Sequence, residues 1–140
     1  MRIQSIIAIL VFICATAASA AQTEMAGTWR AYMKDVPAVI LHLQDDHGKL
    51  QGTVVFNIIN REDPNHPSIL GSQELVLLNP SLAGNVFSFQ VKRQSDEGAE
   101  SGEMVTCRLS LTGHDEGLFK CLNGADSPEV KMLRGKRLSL

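Results

Sequence analysis

The sequence predicts an all-β domain, an up-and-down antiparallel β-barrel of about eight strands. Three observations carry that expectation. Apolar and polar residues alternate over short runs, turn-forming residues punctuate those runs at hairpin spacing, and helical periodicity is almost absent. Every connection is short enough for a hairpin, so a meander is the simplest topology.

The first element lies outside that domain. Met1-Arg2 supplies a short positive region, residues 6–15 an apolar run, and Ala18-Ser19-Ala20 a small-residue cleavage site, the pattern of a secretory signal peptide over residues 1–20. Cleavage near Ala20 leaves residues 21–140 as a single domain, secreted or periplasmic. The apolar run is too short for a membrane span and is followed by Gln22, Thr23 and Glu24, so no transmembrane anchor is expected in the mature chain. Cys14 leaves with the peptide; the bulky Ile13 before it is unlike a lipidation signal. Of the 13 basic side chains the leader carries only Arg2, and it carries none of the 15 acidic ones. The mature chain is therefore slightly more acidic than the formal −2 of the whole sequence, which makes nucleic acid and anionic membrane surfaces poor partners.

Residues 27–56 organise the domain. Asp45-Asp46-His47-Gly48 is a turn signal between two alternating runs, and pairing Leu43 with Leu50 places Val39, Leu41, Leu43, Leu50, Val54 and Phe56 on one face. His42, Gln44, Lys49, Gln51 and Thr53 fall on the other, wet face. The preceding strand turns back through Lys34-Asp35-Val36-Pro37, and matching Trp29 to Leu43 sends Ala31 and Met33 to the same inner side.

Downstream the pattern continues. Residues 69–78 read as a strand, 79–85 as a connection, 86–93 as a strand with Phe87, Phe89 and Val91 on one face, and 128–138 as the closing strand. Between them, residues 104–111 and 118–122 flank the turn Gly113-His114-Asp115-Glu116. A symmetrical hairpin there sets Cys107 opposite Cys121 and Leu109 opposite Phe119, so the two cysteines of an exported chain are expected to form a structural disulfide. A redox-active pair is the alternative, but no Cys-x-x-Cys spacing supports it. In a meander the two longest loops, around residues 60–68 and 95–102, share one end; the turns near Asp45, Asn79 and Gly113 lie at the other, with Trp29, Arg134 and Arg137.

Gly27-Thr28-Trp29 on the first strand, an up-and-down sheet and a basic final strand resemble the lipocalin and calycin group of ligand-binding barrels. That resemblance implies a closed-end structural role for Trp29 beneath a late arginine, Arg134 or Arg137, as a cation–π lid. A second likeness covers most of the mature chain. Ala26-Gly27-Thr28-Trp29, Gly48-Lys49-Leu50-Gln51-Gly52, the run from Val54 to Pro64, Leu77-Leu78-Asn79-Pro80 and the run from Arg108 to Gly113 are similar to a family of exported bacterial domains, which brings no known activity.

Chemistry-bearing residues are sparse. Asp45-Asp46-His47, and His66 beside Asp63, read as solvated turn residues, since no recognised metal-ligand spacing is present and no metal or cofactor is expected. No nucleophile elbow, carboxylate pair or phosphate loop appears, so a non-enzymatic protein is expected. The only glycosylation-like triplet, Asn79-Pro80-Ser81, has proline in the forbidden position. Two function classes follow. One is a carrier whose interior, lined by Ala31, Leu41, Val54, Phe56, Phe87, Phe89, Val105 and Met132, holds a small apolar ligand. The other is a module that binds another exported protein through its loops or rim, such as a protease inhibitor or envelope-complex subunit, with a filled core. They divide on whether Ala31, Gly52 and Gly71 leave a void.

Overall fold

Two residues with positive φ, His47 (51°) and Gly48 (86°), turn the chain between the second and third strands. This is the two-residue loop whose twist suits a hairpin. Asp46 and Lys49 are its closing pair, and Asp45 Oδ1 accepts a hydrogen bond from the Gly48 N–H at 3.0 Å. The computed structural model describes residues 24–93, 102–122 and 128–135. The expected leader at residues 1–20, Arg137 and most of the loop around residues 95–102 lie outside the described residues.

Among the described residues nine strands are formed: β1 (Gly27–Met33), β2 (Val36–Asp46), β3 (Lys49–Asn60), β4 (Ser68–Val76), β5 (Leu78–Ala83), β6 (Val86–Lys92), β7 (Met104–Leu111), β8 (Glu116–Leu122) and β9 (Val130–Arg134). They make one curled antiparallel sheet in the order β4-β3-β2-β1-β9-β8-β7-β6-β5, a barrel-like all-β fold in which the last strand pairs with the first.

Both early registers differ by two residues from the sequence expectation. Leu43 lies opposite Gly52 and not Leu50, because the turn is centred one residue later than Asp45-Asp46-His47-Gly48 suggests. Trp29 lies opposite Leu41 and not Leu43, with a bulge between Ala31 and Tyr32. A slip of two preserves the faces, and Trp29, Ala31, Leu41, Leu43, Leu50 and Val54 are all buried. The later hairpin has the expected register, with Cys107 opposite Cys121 and Leu109 opposite Phe119. The cysteines are joined by a disulfide spanning 14 residues of sequence. Replacing both by alanine is expected to cost about 3 kcal/mol by loop-closure entropy. Urea unfolding under non-reducing conditions checks this, and an unchanged midpoint would remove the staple from the account.

The strand count is the larger correction. Residues 79–85, expected as a connection, contain β5, which pairs with β6 and ends in a turn at Gly84 (φ 62°) and Asn85. Because each ladder is antiparallel, β4 and β5 run in the same direction. They are successive parts of one course of chain that pairs first with β3 and then, beyond Leu77, with β6. At the switch the Leu77 N–H still donates to Gly52 O, 3.1 Å away, and β4 and β5 form the two edges of the sheet.

This arrangement retains the two ends inferred for a meander. The β1–β2 and β3–β4 connections lie at one end, and the turns at His47-Gly48, Gly84-Asn85 and residues 112–115 at the other.

Candidate functional site

Inward-facing side chains from all nine strands meet in an apolar cluster, with Leu82 of β5 partly buried against it. Of the residues considered for a ligand cavity, Ala31, Leu41, Val54, Phe87, Phe89, Val105 and Met132 are buried, and Phe56 is half-buried against them. They pack with Trp29, Leu43, Leu50, Leu109 and Phe119. Phe89 is central, its ring centroid 5.7 Å from that of Phe87 and 6.2 Å from that of Phe119. Neither glycine opens space beside this cluster. A methyl on Gly52 would fall 1.7 Å from the His42 carbonyl oxygen, and one on Gly71 would meet Ile58 Cδ1 at 3.9 Å, ordinary contact. Among the described residues no polar or charged residue is buried, so the interior offers no polar side chain to orient a ligand.

The end holding Trp29 is closed by a second, polar construction. Trp29 is wholly buried, and its Nε1–H donates to Met25 O at 2.9 Å. The Arg134 guanidinium lies 5.2 Å from the Trp29 ring centroid. It donates from Nε to Asp115 Oδ1 at 2.9 Å, from Nη2 to His114 O at 2.7 Å, and from Nη1 to Ala26 O at 3.1 Å and to Glu24 O. The planar fork of arginine suits this divergent set of acceptors, which a lysine cannot match. Gly27 follows from the same packing: its φ is +134°, and a Cβ there would lie 2.8 Å from Arg134 Cδ. The Gly-x-Trp triplet thus has a local cause, a glycine over which the arginine stem passes to reach the indole.

The remaining polar residues serve turns and the outer surface. His42 Nδ1 is 3.2 Å from Thr28 Oγ1 on the outer face. Asp63 accepts from the Asn65 N–H, and its other oxygen is 3.1 Å from His66 Nδ1; Lys34 Nζ reaches over to Pro64 O. Among the described residues no group of three His, Cys, Asp or Glu side chains is gathered as a metal site. No described helix is long and apolar enough to cross a membrane.

One concavity lies where the sheet is interrupted. A cleft of about 540 Å³ lies between the start of β3 and residues 80–82 of β5, lined by residues 48–52, Val76, Leu77, Pro80, Ser81, Leu82 and Phe87. Sequence reasoning missed it because it exists only where β4 hands over to β5. The available signal was Leu77-Leu78-Asn79-Pro80, an apolar pair followed after one asparagine by a proline, a residue that sits in sheets at edges and bulges.

Compared with known protein families, curated proteins and solved structures, the chain matches none.

Proposed function

We propose that this is an exported, non-enzymatic binding module that recognises another exported protein through its surface while its interior is filled by its own side chains. The observation that supports this reading over a carrier is the packing of Ala31, Leu41, Val54, Phe87, Phe89, Val105 and Met132 into one apolar cluster. A barrel of about eight strands is just narrow enough to be filled in this way. The finer architecture proposed is calycin-like, with β4 and β5 acting as one of eight barrel strands and Arg134 covering Trp29 at the closed end. Export is supported by the leader-like residues 1–20 and by a disulfide, which persists in oxidising compartments. The non-enzymatic reading is supported by the employment of Asp45, Asp63 and Asp115 in turn and closed-end hydrogen bonds.

Native mass spectrometry of the mature protein, taken from its own cellular source and compared with the same sample denatured, tests this. The expected native mass is that of the bare chain, less the hydrogens lost to the disulfide. A mass excess that vanishes on denaturation would overturn the filled interior and identify a carrier.

A further inference from the structure

The cleft lies between segments of β3 and β5, and the hydrogen-bonding direction of their peptide groups follows from the registers. In an antiparallel hairpin, residues alternate between exchanging both bonds with their partner and turning both groups away from it. Asp46 and Lys49 close the β2–β3 turn, so the next pair, Asp45 and Leu50, is of the second kind, and Leu50 turns its N–H and C=O away from β2. The bond from Leu77 N–H to Gly52 O verifies this alternation two residues further on. On the opposite wall, Ala83 and Val86 close the turn at Gly84-Asn85. By the same alternation Leu82, opposite Phe87, turns its N–H and C=O away from β6. No ladder joins β3 to β5 among the described residues. Leu50 and Leu82 therefore send their side chains into the core and their peptide groups into the cleft from either side.

We propose that this cleft receives an extended peptide segment of a partner protein as an added strand between β3 and β5. The proposal rests on the protein-binding reading above and locates its site. An apolar small molecule would cover these donors and acceptors without pairing them, which is costly. A peptide in extended conformation carries amides at the matching two-residue repeat, the basis of recognition by strand addition. Lys49 is the one charged side chain among the lining residues, so an acidic residue in the segment is favoured at that wall. Pro80 has no N–H, which confines the β5 contribution to the neighbourhood of Leu82 and keeps the recognised segment short.

The test is selection of random heptapeptides displayed on phage against the mature, disulfide-bonded protein, followed by anisotropy titration of the selected peptides in synthetic form. Methylating alternate peptide amides is expected to weaken binding about tenfold in one alternation and little in the other. Lys49→Glu is expected to weaken peptides that carry an acid, and Leu82→Pro to weaken all of them by removing one wall donor. Hydrogen exchange at the Leu50 and Leu82 amides of the unmodified protein, slowed on adding peptide, supplies a readout that needs no variant. The proposal is overturned if no peptide is selected, if both methylated series bind like the parent, or if peptide leaves both amides unprotected. Those results leave the filled interior standing, because the native mass decides that separately.

Discussion

Arg134→Met is expected to destabilise the protein by about 2 kcal/mol, the scale for removing the shared donor of a half-buried, hydrogen-bonded charge cluster. The side chain is 13% exposed and is the common donor to Asp115 and to the carbonyls of Glu24, Ala26 and His114. Methionine keeps much of the stem that packs over Gly27 but supplies no N–H. Those acceptors lose the Arg134 N–H groups, and the Trp29 ring loses its cation. Arg134→Lys is expected to recover only part of the loss, since an ammonium cannot span acceptors that diverge around a plane. Urea unfolding followed by the emission of Trp29, the only tryptophan, reads stability and indole burial together. A loss below about 0.5 kcal/mol, the range of ordinary surface substitutions, would show that the closed end does not depend on this arginine.

Gly52→Ala is expected to be at least as damaging, about 3 kcal/mol or more, because the added methyl meets backbone and not a movable side chain. The clash is with the carbonyl oxygen of His42, at 1.7 Å from the new carbon, and Gly52 is also the residue whose own carbonyl holds Leu77 at the β4-to-β5 switch. Relief requires β2 and β3 to separate where both the core and the sheet's handover depend on them. Thermal unfolding by circular dichroism, with Gly71→Ala as the control, checks this. Gly71 has room for a methyl, its nearest neighbour being Ile58 Cδ1 at 3.9 Å, so the two variants should differ widely. Equal melting temperatures would refute the close approach at Gly52.

These sites differ in how far they could be read from the chain alone. Trp29 and a late arginine were expected as a pair only through the family resemblance that Gly-x-Trp and a basic final strand carry. The choice of Arg134 and its web of carbonyl acceptors was not, because those acceptors come from the segment before β1 and from the β7–β8 turn, far apart in sequence. The interior residues were legible by alternation, which survives a register error of two. Whether they enclose space was not, since filling depends on contacts such as Phe89 with Phe119 from different hairpins. Gly52 shows the same limit: it looked like a source of empty space, and its missing side chain is instead occupied by a neighbouring strand.

What residue order determined here is everything with a short period or a symmetric local pattern. That covers the all-β class, the inner and outer faces, and the Cys107–Cys121 pairing, because alternation by two and turn chemistry act within one hairpin. Tertiary structure alone decided where the sheet is interrupted. The chain leaves β3 for β6 after Leu77 because a single course of chain meets two neighbours in turn around a curled sheet, and that meeting depends on strand curvature and distant partners. The cleft between Leu50 and Leu82 is its product, invisible in either segment taken by itself.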